Sequence, residues 1–275
     1  MKKRTIGFIG GGNMATSLLG GLISDGCPAS SIWVAEPDAD RRETLASRFG
    51  VATTANNNEL VEAVDVVVLA VKPQVLHEAC RGIADTLQAY KPLVLSIAAG
   101  IRIGDIDRWL GGGCAIVRTM PNTPSLVQSG ATALLANDRV SAEQRELAEG
   151  IMRSVGLTLW LAEESQMDAV TAISGSGPAY FFLVIELLQQ TGVKLGLTEE
   201  NARLLAVQTA FGAAKMALES PDECTTLRAR VTSPGGTTER AIGILEQGGI
   251  RELFATALTG ARDRAAELAD ELGAK

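Results

Sequence analysis

The chain has 275 residues and a formal net charge of −7, with 46% hydrophobic and 21% charged residues. These values are typical of globular proteins and exclude an intrinsically disordered chain. The negative charge, the scattered Lys and Arg residues and the 4% of aromatic residues argue against nucleic-acid binding. The length accommodates one large domain or two ordinary ones.

The first part of the chain alternates short β-branched runs with amphipathic stretches, which is typical of repeated βαβ units. The predicted strands are residues 5–10, 32–36, 66–71, 92–97, 114–118, 132–135 and 157–161. Helices are predicted at 13–24, 41–49 and 74–87, and a capping box at Ser141 and Gln144 predicts another ending near Arg153. Near-continuous Val, Ile and Leu strands favour a parallel sheet that is covered on both faces. We therefore expect an α/β fold, with a Rossmann-like doubly wound sheet in residues 1–162.

Long apolar helical patterns replace the strands after about Leu161. They predict helices at 163–191, at 201–219 and along the last stretch of the chain, and a loop at 232–238. The second domain, residues 163–275, is therefore expected to be all-helical and to serve dimerisation. Its extensive apolar faces favour an obligate dimer, although a closed monomeric bundle is also compatible with them.

No apolar run in the sequence suggests a membrane segment, because the longest ones have strand length and are interrupted by polar residues such as Asp65 and Ser96. We expect a soluble, cytoplasmic protein with no membrane partner. The four cysteines lie far apart, without C-x-x-C spacing or companion histidines, so no metal site and no disulfide framework is expected.

A glycine-rich turn follows the first predicted strand and opens a helix, with the pattern G-x-G-x-x-A. Gly10 allows the tight turn, and Gly12 lets the backbone approach a pyrophosphate. The free N–H groups of the helix start, at Asn13 and Met14, attract the anion. This placement predicts a dinucleotide site, whereas a structural glycine turn is the alternative.

The second predicted strand ends at Glu36, which lies 24 residues after Gly12. An acid near this spacing holds the adenosine ribose of NAD(H) and repels the 2′-phosphate of NADP(H). Arg41 and Arg42 follow on the next turn and could instead reach a phosphate, or lie on a solvated helix surface. The cofactor is therefore predicted as NADPH or NADH, with the choice left open.

Further cofactor-binding candidates include residues that follow other predicted strands, because ligands of parallel sheets lie at the carboxyl edge. Residues 70–74 follow the third long strand, and their backbone could line the nicotinamide ribose; Lys72 could equally be a solvent-facing lysine. The complete additional set is Asn56, Ala70, Val71, Lys72, Pro73 and Ala98.

Several segments read together resemble the pyrroline-5-carboxylate reductase family. They are residues 8–15, 70–74, 96–100, 118–124, 174–180 and 231–238, in the family's order from end to end of the chain. The last segment is the most specific, since it resembles the family's signature loop. The chain departs from the family at Glu36, where many relatives have a small or polar residue.

The resemblance implies NAD(P)H-dependent reduction of 1-pyrroline-5-carboxylate to L-proline, the last step of proline synthesis. It also implies a homodimer with interlocked helical domains, often assembled into a ring of dimers. In the family, the threonine that matches Thr238 hydrogen-bonds the ring nitrogen, which makes Thr238 the catalytic candidate. Capping of the following helix is the alternative role for this residue.

The substrate is a small cyclic imine with a carboxylate, so the site needs positioning groups and an anion hole. N–H groups of Thr237 and Thr238 can bind the carboxylate, and Ser233 can add a hydrogen bond. The complete set of substrate-binding candidates is Ser233, Gly236, Thr237, Thr238, Met120 and Ser176.

Three other functions compete with this one. A β-hydroxyacid dehydrogenase-like oxidoreductase needs a lysine on the interdomain helix, but there is no lysine between Lys91 and Lys194. A dehydrogenase with a His–carboxylate pair is disfavoured because His77 is the only histidine. A non-catalytic dinucleotide-binding protein would not require the second anion site at residues 233–238.

Overall fold

The computed structural model describes residues 4–274, which contain one eight-stranded sheet. Its strands are β1 (Ile6–Ile9), β2 (Ile32–Ala35), β3 (Ala52–Thr54), β4 (Val66–Leu69), β5 (Leu93–Ser96), β6 (Ile116–Met120), β7 (Gly130–Ala136) and β8 (Gly156–Trp160). Their order across the sheet is β3-β2-β1-β4-β5-β6-β7-β8. The first six strands are parallel, which confirms the predicted parallel sheet for the five of them that were predicted. β7 differs, since it runs antiparallel to β6 and parallel to β8.

Helices cover both faces of this sheet. They are α1 (Asn13–Ser24), α2 (Ala39–Phe49), α3 (Asn57–Ala63), α4 (Pro73–Tyr90), α5 (Ile103–Trp109) and α6 (Ala142–Arg153). Neighbouring residues of β1 point to opposite faces, so Phe8 packs in a core with α1, α2 and α6, and Ile9 in a core with α3, α4 and α5. Both side chains are almost completely buried.

Local sequence signals explain where these helices begin. In α6, the Ser141 side chain accepts a hydrogen bond from the Gln144 N–H, and the Gln144 side chain accepts one from Ser141, so the predicted capping box is confirmed. In α2, the Asp38 carboxylate accepts a hydrogen bond from the Arg41 N–H. β3, α3 and α5 are elements that the sequence analysis did not predict.

The helical half contains α7 (Gln166–Val170), α8 (Gly177–Lys194), α9 (Glu199–Glu219), α10 (Cys224–Arg230), α11 (Thr237–Gln247) and α12 (Ile250–Gly273). A π-helical turn at Thr171–Gly175 separates α7 from α8. The single helix predicted at 163–191 is therefore interrupted, at the glycine-rich segment where Pro178 stands in the first turn of α8. A Cβ at Gly175 would lie 2.5 Å from the terminal methyl carbon of Met120, so a larger residue there would have to displace the end of the Met120 side chain.

The chain divides into two compact units, residues 1–175 with 261–275, and residues 176–260. The end of α12 belongs to the first unit because Arg102 forms an ion pair of 2.7 Å with Asp270, and Arg108 donates a hydrogen bond to the Gly273 carbonyl. This grouping differs from the predicted division between residues 162 and 163. The division into functional domains at that position stays a prediction.

The helices of the second unit leave much apolar surface uncovered. In α8, the side chains of Phe181 and Phe182 are 67% and 66% exposed, and Phe211 of α9 is 60% exposed. The stretch Gln166–Lys194 also has the length and composition of a membrane span, with 11% of its most apolar window buried. One such stretch is weak support for a membrane, because helices that pack in a protein core or interface have the same composition.

Candidate active site

The glycine-rich turn joins β1 to α1 in the conformation that a dinucleotide site needs. Gly10 has a φ of 99°, which favours glycine, and a Cβ on it would lie 2.9 Å from the Ala70 carbonyl oxygen. Gly12 is the N-cap of α1, and a Cβ on it would meet no atom of residues 4–274 within 4 Å. The first turn of α1 therefore begins at an open space that a bound anion can enter.

This turn lies where the sheet topology predicts a ligand. β1 and β4 are neighbours in the sheet, and the chain proceeds from them in opposite directions, to β2 on one side and to β5 on the other. Ligands of doubly wound sheets bind at the carboxyl ends of the strands at such a switch point. Gly10–Gly12 follow β1, and Ala70–Lys72 follow β4, so both segments meet at this point.

Glu36 forms a buried wall of the site. Only 7% of this residue is exposed, and its carboxylate accepts hydrogen bonds from the N–H groups of Gly11 (2.9 Å) and Asp38 (3.2 Å). Arg41 lies 3.9 Å from the same carboxylate. The Arg42 guanidinium instead donates hydrogen bonds to the carbonyls of Glu36 and Pro37. The carboxylate is thus fixed in position by the backbone.

A cleft of about 790 Å³ extends along these segments. The predicted cofactor-binding residues that line it are Gly10, Gly12, Glu36, Asn56, Ala70, Val71 and Lys72. The side chains of Asn13, Met14, Pro73 and Ala98 are not among its lining; Ala98 packs in the core behind β5, and Pro73 begins α4. The contribution of Asn13 and Met14 stays a prediction, and it requires only the backbone N–H groups of the first turn of α1 rather than their side chains.

One side of this cleft was not predicted from the sequence; α4 provides it through Val75, Glu78, Ala79 and Gly82. Their spacing places these residues on one helix face, so the helical period of 74–87 contained the signal. Ala55, Asn57 and Asn58, around the start of α3, also line the cleft. Lys72 is exposed to solvent and also lines the cleft. The two predicted environments, a cofactor-lining position and a solvent-facing lysine, are therefore compatible.

The carboxyl ends of β5 and β6 are held by hydrogen bonds within the first unit. The Thr119 hydroxyl donates to the Ser96 carbonyl, and the Asn122 side-chain amide donates to the Ser174 carbonyl and hydroxyl. The buried Arg118 forms an ion pair of 2.8 Å with Glu164. These contacts fix the segment that carries Met120, a predicted substrate-binding residue that is partly exposed.

The predicted substrate loop lies in the second unit and turns sharply into α11. Gly235 has a φ of 73° and donates its N–H to the Glu239 carboxylate at 2.7 Å, while the Gly236 N–H donates to the Ser233 carbonyl at 3.0 Å. Glu239, which the sequence analysis assigned no role, is an acid in the first turn, where the helix dipole favours it. These hydrogen bonds hold the loop in a fixed turn, at the end of which the N-terminus of α11 is presented.

The N-cap of α11 is Gly236, and the helix begins at Thr237. Thr238 is therefore the second residue of the helix, and the alternative that it caps a helix beginning at Glu239 is wrong. The N–H groups of Thr237 and Thr238 belong to the first turn, where no intrahelical acceptor exists for them. Ser233 and Thr237 are exposed, and Thr238 is half-buried. Ser176, the remaining substrate-binding candidate, is the N-cap of α8.

Two family models match the chain. Residues 164–268 match the model described as pyrroline-5-carboxylate reductase dimerisation, and residues 5–100 match the one described as NADP oxidoreductase, coenzyme F420-dependent.

Curated and solved proteins match over nearly the whole chain. The pyrroline-5-carboxylate reductase of Pseudomonas aeruginosa is 49% identical over 273 residues, covering 99% of this chain and 100% of the relative. A solved pyrroline-5-carboxylate reductase from Coxiella burnetii is 49% identical with a TM-score of 0.93, covering 97% of this chain and 99% of the other. The Plasmodium falciparum pyrroline carboxylate reductase, solved with NADP bound, is 30% identical with a TM-score of 0.86, covering 98% and 99%.

Proposed function

The chain belongs to the pyrroline-5-carboxylate reductase family, and we propose that it reduces 1-pyrroline-5-carboxylate to L-proline with NADPH or NADH. The resemblance inferred from the motifs and the predicted fold class are confirmed by these matches. The reaction is the last step of proline biosynthesis, and the protein is an oxidoreductase that acts on a C=N bond.

The observation that carries this proposal is the cleft at the β1–β4 switch point. Its residues fit a dinucleotide: a Cβ on Gly12 would stand in open space at the start of α1, and Gly10 leaves no room for a side chain. The N–H groups of Asn13 and Met14 would hold the pyrophosphate, and Glu36 and Asn56 also line the cleft. The backbone of Ala70, Val71 and Lys72 would border the nicotinamide half, and Pro73 and Ala98 are further predicted cofactor contacts. When bound, the coenzyme supplies a hydride.

The second-unit loop has the groups that the imine substrate needs. The N–H groups of Thr237 and Thr238 and the hydroxyl of Ser233 bind the carboxylate, and Gly236, the N-cap of α11, has no side chain that competes for these N–H groups. The Thr238 hydroxyl hydrogen-bonds the ring nitrogen, and Met120 and Ser176 contact the ring. An imine nitrogen that arrives protonated needs no strong general acid, so positioning and the anion hole carry the catalysis.

The only histidine does not contribute to this chemistry. His77 lies in α4, with its ring in an edge-to-face contact with Trp109 at a centroid distance of 5.1 Å. This packing indicates a structural role for His77 in the first unit.

The helical domain forms an oligomer in this proposal, since residues 164–268 match a dimerisation model. The finer assignment is a homodimer that assembles further into a ring of dimers in the cytoplasm. Exposed aromatic side chains on α8 and α9 support it, because a partner copy would remove them from water. Light scattering with size-exclusion chromatography tests the assembly, and a monomer at micromolar concentration would contradict it.

The activity is tested by NAD(P)H oxidation with synthetic 1-pyrroline-5-carboxylate. We expect turnover by the unmodified protein and a fall in kcat of about tenfold or more in Thr238→Ala, with coenzyme affinity unchanged. Thr238→Ser is the matched control, because it keeps the hydroxyl and should retain most of the activity. Coenzyme binding without turnover of the imine would refute the proposed reaction, and full activity of Thr238→Ala would refute the role of this hydroxyl.

A further inference from the structure

Glu36 stands where a coenzyme's adenosine ribose is bound in sheets of this order. It directly follows β2, beside the glycine-rich turn, and lines the cleft. An acid at this place distinguishes a free ribose 2′-hydroxyl, which can donate a hydrogen bond to it, from a 2′-phosphate, which cannot. The direction of the carboxylate then determines which coenzyme fits.

The backbone holds this carboxylate in place. One oxygen accepts the Gly11 N–H at 2.9 Å and the other accepts the Asp38 N–H at 3.2 Å, while the residue is only 7% exposed. Turning the side chain away to admit a phosphate would leave both N–H groups without this acceptor. A Cβ on Gly11 would also lie 3.3 Å from the Glu36 carboxylate, so the turn and the acid are packed together.

The neighbouring cations do not form a phosphate site. Arg42 uses its guanidinium on the carbonyls of Glu36 and Pro37, at 2.7 and 2.8 Å. Arg41 lies 3.9 Å from the Glu36 carboxylate and is half-exposed, so its guanidinium already faces an anion of the protein. The charged residues that line the cleft, within residues 4–274, are two acids and two bases: Glu36, Glu78, Arg41 and Lys72. The cleft therefore lacks the positive excess that a 2′-phosphate requires.

We propose that Glu36, fixed by the N–H groups of Gly11 and Asp38, makes this enzyme prefer NADH to NADPH. The inference rests on the proposed function, since it assigns a specificity to the proposed coenzyme cleft. It differs from what the Plasmodium falciparum neighbour with NADP bound would suggest, and that neighbour is 30% identical. The residue acts on the ribose end of the coenzyme and leaves the hydride chemistry untouched.

The test is direct binding of NADH and NADPH to the full-length oligomer, measured by calorimetry or by fluorescence without substrate. We expect NADH to bind at least about tenfold more tightly than NADPH. In Glu36→Gln, which keeps a hydrogen-bond acceptor and removes the charge, NADPH should bind more tightly and the preference should shrink by about tenfold. Glu43→Gln is the matched control, because it removes one exposed charge of α2 outside the cleft and should leave the preference unchanged.

Each outcome decides a different point. Tighter binding of NADPH to the unmodified protein would overturn the inference and leave the reductase function standing. A preference for NADH that survives in Glu36→Gln would overturn the role of this residue. If neither coenzyme binds, the proposed function fails together with the inference.

Discussion

Replacing Gly12 by serine should separate coenzyme binding from folding. Gly12 is the N-cap of α1 with φ −71° and ψ −175°, an extended conformation that any residue adopts. Serine is a preferred N-cap residue, since its hydroxyl can accept a hydrogen bond from the first turn of the helix. No atom of the described chain lies within 4 Å of the added Cβ, so the fold has room for it. The stability should stay the same or rise by a few tenths of a kcal/mol.

The same side chain would occupy the space through which the pyrophosphate approaches α1. Losing one charge-assisted hydrogen bond to the helix start costs about 1.5–3 kcal/mol, which corresponds to about 10- to 150-fold in Kd. Coenzyme fluorescence titration measures the affinity, and thermal unfolding measures the stability of the same sample. Gly150→Ser is the control, because that glycine also has open space around it but lies in α6, away from the cleft. An unchanged coenzyme Kd in Gly12→Ser would refute the placement of the pyrophosphate.

Two further predictions concern buried groups of the first unit. Glu164→Ala should lower the free energy of unfolding, measured in urea, by about 1–3 kcal/mol, because Arg118 would stay buried without its partner and the Ile103 N–H would lose its acceptor. Glu164→Gln keeps a hydrogen-bond acceptor and should lower this free energy less. Equal losses in the two variants would contradict this account. Burial raises the pKa of the Cys80 thiol to about 12, so little thiolate forms at pH 8. Iodoacetamide should therefore alkylate Cys80 in urea but not in the native protein, and equal labelling by mass spectrometry would show that the thiol is accessible.

The parts of the fold that could be predicted depend on local patterns. Buried strands such as β4 consist of consecutive apolar residues, and the capping box at Ser141 is complete within four residues. The glycine-rich turn was predictable because a close backbone approach excludes a side chain at Gly10. Each of these signals comes from neighbours in the sequence, so one sequence is enough to find them.

The missed parts depend on contacts between distant residues. β3 has three residues and two of them are threonines, so its hydrophobic pattern is too short to identify. The reversed direction of β7 depends on its pairing with β6, which the residues of β7 alone do not encode. The contribution of Glu239 was missed because its bond to the Gly235 N–H depends on the geometry of the turn. The binding face of α4 was recognisable as a helix face, but not as a wall of the cleft.

Because of the sheet order, the residues that line the coenzyme cleft all come from one part of the sequence. All of its lining residues lie between Ile9 and Gly82, because the switch point brings β1 and β4 together with only β2 and β3 intervening in the sequence. The catalytic candidate Thr238 and its loop lie far outside this stretch. A cassette that spans the cleft could therefore be exchanged between related enzymes, and nucleotide preference could evolve independently of substrate recognition.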